Sequence, residues 1–168
     1  IDEDSNFIYL LSASDVDSDN LIYDGQITGN GTINLTGNIL TVTMDPDYNG
    51  ETDIVISVTD GEFIDTTDFT LTVNAVNDAP IVMQPLDDLV LTEDSGTATV
   101  VLSSVFSDID GDNLSYTVSQ DVNNIITTQI IDNNLMLTPA PDQFGGPIGI
   151  TVTADDGQSI ISASDNFI

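Results

Sequence analysis

Short motifs in the first half of the chain return in the same order in the second. This internal copying limits the possible architectures more than any other feature. Glu3-Asp4 recurs as Glu93-Asp94, and DVDSDNL at 15–21 recurs as DIDGDNL at 108–114. PDYNG at 46–50 returns as PDQFGG at 141–146, and ISVTDGEFI at 56–64 as VTADDGQSI at 152–160. The offsets are 90 (93 − 3), 93 (108 − 15), 95 (141 − 46) and 96 (157 − 61, Gly61 against Gly157). A slow upward drift is what small loop insertions in a copied unit produce. Each unit must therefore close its own core within roughly 90 residues. The expected division is 1–80, a first unit with its linker, and 81–168, a second unit. IVMQPLDDLVL has no counterpart before Ile1, and copy two stops at Asn166-Phe167-Ile168 where copy one continues as FTLTVNAVNDAP. The sequence thus reads as a piece of a longer array, its first unit lacking the first strand and its second the last.

Within a copy, apolar residues recur at every second position, the period of a half-buried strand. Ile54, Ile56 and Val58 alternate with Val55 and Ser57; Phe69, Leu71 and Val73 with Thr70 and Thr72; Leu40, Val42 and Met44 with Thr41 and Thr43. Leu135 with Leu137, and Ile148, Ile150 and Val152, continue the pattern in copy two. Asn, Asp, Gly and Pro punctuate these runs. About seven short strands in a unit of this size predict an all-β chain of two tandem antiparallel Greek-key β-sandwiches. Helix should be confined to a turn near Ser104–Phe106.

The charge is wholly one-sided: 29 acidic side chains, no Lys, no Arg and no His, for a formal net charge of −29. No side-chain salt bridge can form, and self-repulsion opposes compaction unless cations come from solution. Disorder is the alternative at such charge, but 40% of residues are hydrophobic and fall in dense runs, which a disordered tail lacks. Most of the acids are Asp, which favours turns over helices. With no Cys, disulfides and thiolate metal sites are excluded. Nothing could neutralise phosphates, so nucleic acid is excluded as a partner. No apolar run is long enough for membrane insertion by a helix.

The acidic loops carry the chemistry. Calcium takes six to eight hard oxygen ligands, which carboxylates and Asn or backbone carbonyls supply. Carboxylates gathered without a cation raise one another's pKa, and a bound divalent ion reverses that penalty. Magnesium fits less well because it holds its water. The loops also read as ordinary turns: Asp60-Gly61 and Asp156-Gly157 suit hairpins, and Asp45, Asp47 and Asp142 sit beside Pro. An EF-hand is ruled out, since Asn20 and Asn113 stand where that loop needs Gly and Gln26 and Ser119 where it needs Glu.

Taken together, Glu3 or Glu93, the Asp-x-Asp-x-Asp-Asn loops, the Asp-Gly turns and VNAVNDAP at 73–80 resemble the cadherin-like (dystroglycan-type) tandem repeats of large bacterial surface or secreted adhesins. The resemblance covers essentially the whole chain and implies a cadherin/Ig-like fold. It also implies Ca2+ at the junction between repeats, held by Glu3, Asp60, Asn77, Asp78, Asp108 and Asp110. Asp15 and Asp17 would then face a preceding junction, and Glu93 and Asp156 a following one. Glu62 is a weaker candidate, because Gln158 replaces it in copy two.

Catalysis is not expected, because carboxylates are the only conventional catalytic bases present and they recur in both copies. The expected role is a calcium-stiffened extender or adhesion segment of an extracellular or cell-surface bacterial protein. Its partners would be adjacent repeats of the same chain and a cell-surface protein or polysaccharide. The alternative is a polysaccharide-binding accessory module, for which Tyr48 is the aromatic to test. A third reading is self-association through unpaired strand edges.

Overall fold

The computed structural model describes the chain apart from Ser18, Asp19, Asn123, Ile160, Ile161 and Ile168. Asp19, the third acid of the first loop, and Ile160, the last residue of the VTADDGQSI motif, therefore lie outside the described residues. Two compact units are formed, Ile1–Val76 and Asn77–Ile168.

In the first unit the alternating runs become β1 (Asn6–Leu10), β2 (Ile22–Thr28), β3 (Gly31–Thr36), β4 (Ile39–Met44), β5 (Gly50–Thr59) and β6 (Ile64–Val73). They form two antiparallel sheets, in the orders β1-β4-β3 and β2-β5-β6. Leu40 and Val42 of β4 meet Ile54 and Ile56 of β5 and Leu71 and Val73 of β6 in one buried cluster. Residues between them on the same strands point outward, Val55 among them. Burying one such aliphatic side chain contributes about 1.5–3 kcal/mol. Ile1 to Glu3 add a parallel edge to β6: the Ile1 amine donates to Thr72 O at 3.0 Å, and Asn74 N–H to Ile1 O at 2.8 Å.

The second unit contains β7 (Ile81–Val82), β8 (Ala98–Val101), β9 (Phe106–Ser107), β10 (Ser115–Gln120), β11 (Ile126–Ile131), β12 (Asn134–Pro139), β13 (Ile150–Asp155) and β14 (Ala163–Phe167). Its sheets run β8-β12-β11 and β10-β13-β14, with β7 and β9 as a short extra pair. Leu135, Leu137, Ile150, Val152 and Phe167 lie in its core. Among the described residues the single helical turn is a 3-10 turn at Leu102–Ser104, two residues earlier than expected. Packing explains the shift, because the fully buried Leu102 anchors the turn from its first position. Both units are all-β, each built on two three-stranded antiparallel sheets. No helix among the described residues is long and apolar enough to cross a membrane.

The registers also deal with the charge. Like charges directly opposite each other on neighbouring strands are destabilising. Among the described residues, every strand acid faces a neutral partner: Asp53 faces Thr28 and Thr70, Asp24 faces Ser57, Asp65 faces Val58, and Asp165 faces Val152. Thr70 Oγ1 donates to Asp53 Oδ1 at 2.8 Å, so a hydroxyl supplies a donor in a chain that has no basic side chain.

Candidate metal centre

In the first unit the acids gather at opposite ends of the sandwich. Glu3 is a buried acidic residue. Its Oε1 accepts the Val76 N–H and its Oε2 the Asn49 amide at 3.3 Å, so it closes the end where β6 finishes and β5 begins. Asp60 sits in the turn that joins β5 to β6 at the other end, where Oδ1 accepts the N–H groups of Glu62 and Phe63 at 2.7 Å each. The ten residues of β5 separate these ends, a span of roughly 30 Å at about 3.3 Å per residue. The expected grouping of Asp60 with Glu3 is therefore corrected: the hairpin carries Asp60 away from Glu3. Asp60 instead shares its end with Asp15 and Asp17, whose loop leads into β2 at Ile22, the residue paired with Thr59. There Asp15 Oδ1 accepts the Asp17 N–H at 2.7 Å.

The second unit shows how such an end is built. Asp108 Oδ1 accepts the N–H groups of Asp110 at 3.0 Å and Asp112 at 3.2 Å, and Gly111, at φ 77, turns the loop between them. Asp156 follows β13, and its Oδ1 accepts the N–H groups of Gln158 and Ser159 at 2.8 Å each. Asn77 donates its amide to Asp156 Oδ2 at 2.9 Å, and the Asp78 N–H reaches Asp110 Oδ2 at 2.7 Å. Asn77, Asp78, Asp108, Asp110 and Asp156 thus meet at one end of one unit. This corrects a second expectation, that Asp156 faces a following junction: β13 ends beside the loop that precedes β10, as the Ser115–Asp155 pairing requires. Glu93 lies apart from this group, exposed in the segment before β8.

Among the described residues, three buried side-chain atoms lack a hydrogen-bond partner, Ser95 Oγ, Gln120 Oε1 and Asp108 Oδ2, and of these Asp108 Oδ2 is the carboxylate oxygen. It is buried from solvent and has no hydrogen-bond partner. An unpaired buried acceptor is costly, and a carboxylate oxygen more so. The surrounding donors are consumed by Asp108 Oδ1, Asp110 and Asp156, and the chain has no basic side chain to offer. A hard cation fits this donor set, since every side-chain ligand here is oxygen.

Hydrogen bonds hold both turn carboxylates acidic. The Asn77 amide, helped by the Gln158 and Ser159 N–H groups, keeps Asp156 well below the usual carboxylate range. The Phe63 and Glu62 N–H groups lower Asp60. A carboxyl whose pKa is lower folded than unfolded stabilises the fold fully above its unfolded pKa, and that contribution disappears as pH falls through the folded value. Stability should therefore decline with acid from about pH 5 downward. Thermal melts across this range should show a flatter acid limb for the Asp156→Asn variant. An unchanged limb would mean the turn is not held by its charge.

Two features were not foreseen. Asp112 takes part in the loop, its Oδ2 accepting the Gln158 side-chain amide; its place in Asp-x-Asp-x-Asp was the available signal. Asp4 and Asp94, at φ 56 and 58, each clamp a distant turn: Asp4 Oδ1 accepts the Asp47 N–H at 3.3 Å, and Asp94 Oδ1 the Asp142 N–H at 3.2 Å. The Asp-Pro-Asp and Pro-Asp segments are thus turns, as expected, with Asp47 and Asp142 both at positive φ. Tyr48 packs against the core of the first unit and donates its hydroxyl to Glu51 O at 2.9 Å, so its ring is not a free platform for a sugar.

No curated protein matches the chain. Similar solved structures include an endo-fucoidan hydrolase of glycoside hydrolase family 107, at 20% identity and TM-score 0.41, over 98% of this chain and 26% of that one. Others are the extracellular cadherin domains 1–5 of protocadherin gamma B2 (14%, TM-score 0.45, 99% and 40%) and a SusE-like surface-located polysaccharide-binding protein from Bacteroides thetaiotaomicron (18%, TM-score 0.34, 86% and 28%). The chain spans about a quarter of the hydrolase's length. Residues 77–165, which are 89 of 168 (165 − 77 + 1), match the family described as Bacterial Ig domain. The chain belongs to the bacterial Ig domain family.

Proposed function

We propose that the two units are calcium-binding, cadherin-like Ig modules of a large extracellular or cell-surface bacterial protein, in which they act as a calcium-dependent spacer or adhesion segment rather than as an enzyme. The observation that carries this reading is the orphaned, buried Asp108 Oδ2 among Asn77, Asp78, Asp110 and Asp156. Asp15, Asp17 and Asp60 form the related end of the first unit. Calcium supplies the positive charge that the sequence lacks, and extracellular modules bind it at about 0.1–1 mM, where it is abundant outside cells. A catalytic role would need a base, and the carboxylates at this end are engaged in turn geometry.

Isothermal titration of the chelated protein with calcium chloride tests the reading. Saturable binding is expected, with magnesium weaker. The Asp108→Asn variant, which keeps the shape and the Oδ1 acceptor, should bind calcium at least about tenfold more weakly, through loss of one full charge at the metal. Absence of binding heat in the parent protein, or equal affinity in the variant, would remove the basis for the proposal.

A further inference from the structure

The acids are not shared evenly between the two sheets of a unit. In the first unit Asp24, Glu51, Asp53, Asp65 and Asp68 all lie on β2, β5 and β6, while β1, β3 and β4 contain no Asp or Glu. The second unit repeats the division: Asp155 and Asp165 lie on β13 and β14, and β8, β11 and β12 contain none. Each unit, taken by itself, thus has one acidic and one uncharged sheet, in a chain of net charge −29.

The uncharged sheet of the first unit also exposes a continuous apolar patch. Leu40, Val42 and Met44 turn β4 into the core, so Ile39, Thr41 and Thr43 form its outer face. The registers set Leu10 directly beside Ile39 and Ile8 beside Thr41. Opposed residues have Cβ atoms about 4.5–5.5 Å apart, and alternate residues of one strand stand about 6.4–6.8 Å apart. Ile8, Leu10 and Ile39 therefore adjoin, at 65%, 66% and 44% exposure. The other outward positions of this sheet are Thr or Asn. In the second unit Val101 holds the place of Leu10 and is half exposed too, but the polar Asn134 separates it from Ile131. Exposed aliphatic side chains with no charge among them have the composition of an interface core, which is depleted in Asp and Glu.

We propose that the outer face of the β1-β4-β3 sheet is a self-association surface, on which a second copy of this chain docks face to face about a twofold axis. Charge selects the occupant. A twofold contact sets one patch against the same patch of the other copy. Any acidic patch would then meet carboxylates, and the chain has no Lys or Arg to offset them. On the uncharged sheet that penalty is least. A partner rich in basic side chains would be drawn instead to β2-β5-β6, where the acids stand. Ile8, Leu10 and Ile39 pack against the same residues of the second copy, with the sheets about 10 Å apart. Thr and Asn side chains supply uncharged donors and acceptors around them. Three strands of this length present a face of roughly 14 Å by 17–20 Å. That is small for a permanent dimer, so the contact is weak and reversible. It uses a sheet face and not a strand edge, and it involves none of the candidate calcium ligands.

Sedimentation equilibrium of the whole chain in chelator tests this, in dilute buffer and in about 1 M sodium chloride, where charges are screened beyond about 3 Å. The average mass should rise with protein concentration towards that of a dimer, more steeply in high salt. On dilution, amide chemical shifts should move on β1, β3 and β4. Ile39→Asp should weaken association at least about tenfold, by setting like charges against each other. Because β4 is paired on both sides, this variant cannot act by blocking a strand edge. Thr36→Asp places the same charge in the same face at an exposed position, so a folding defect in the first variant does not decide the outcome. Val90→Asp adds an equal charge at a 99% exposed position of the other unit and should leave association unchanged. A monomer at millimolar protein in high salt would overturn the proposal. So would undiminished association of the two face variants, equal loss with Val90→Asp, or dilution shifts confined to other residues.

Discussion

Calcium should raise the melting temperature of the chelated protein by roughly 10–20 °C when present at about a hundred times its dissociation constant. A ligand at that excess stabilises the state it binds by about 2.7 kcal/mol. One kcal/mol moves the midpoint of a 60–100-residue domain by about 4–8 °C, and the Asn77–Ile168 unit falls in that size range. The direction follows from the loop chemistry. Asp108, Asp110 and Asp156 are held near one another by hydrogen bonds to their own backbone and to Asn77, so unfolding disperses a ready-made ligand set. Monovalent salt provides the control, because it screens repulsion between exposed charges without coordinating Asp108 Oδ2. Differential scanning calorimetry in chelator, in calcium and in sodium chloride separates the effects. If calcium does no more than sodium chloride of equal ionic strength, general screening explains the acidic loops and the calcium reading fails.

Truncating Leu135 to Ala should cost the second unit about 2.7–5 kcal/mol. Leu135 is fully buried on β12, the central strand of its sheet, facing Ile130 on one neighbour and Val100 on the other. Removing the isopropyl group beyond its β-carbon takes contacts from both sides, and two flanking strands cannot close the gap at once. Domains of this size are stable by only about 5–15 kcal/mol, so the loss is a large fraction of the total. Val101→Ala is the comparison. That side chain is half exposed on β8, and its loss should cost less than about 1 kcal/mol. Urea denaturation of the pair measures both, and similar midpoints would show that the buried cluster is not what holds this sandwich together.

The sheets were legible in the sequence because their determinants are local. Alternation over Leu40, Val42 and Met44 specifies a strand and its buried face without reference to any other residue, and all three are buried. The same holds for Ile150 and Val152. What could not be read is which loops share an end. Asp60 follows Ile56 and Val58 closely, but the length of β5 fixes its distance from Glu3, and that length is set by pairing with β6. The Asn77–Asp156 bond joins residues 79 apart, and the Asp4–Asp47 clamp spans 43. Such bonds depend on the closed sandwich, so local pattern holds no trace of them. The motif residues were recognisable as acids of recurring position, and their grouping needed the fold.

The pairing of every strand acid with a neutral neighbour has a consequence for how this chain can change over time. Proteins with both signs of charge can tolerate a new carboxylate in a sheet by acquiring a lysine across from it. Here that compensation is not in use, so positions such as Thr28, Thr70 and Ser57 are closed to Asp and Glu by what faces them, although loops nearby admit acids freely. Hydroxyl residues such as Thr28, Ser57 and Thr70 are thus the permitted vocabulary opposite an acid on this surface, and substitutions within Ser and Thr should drift there while acidic ones are purged.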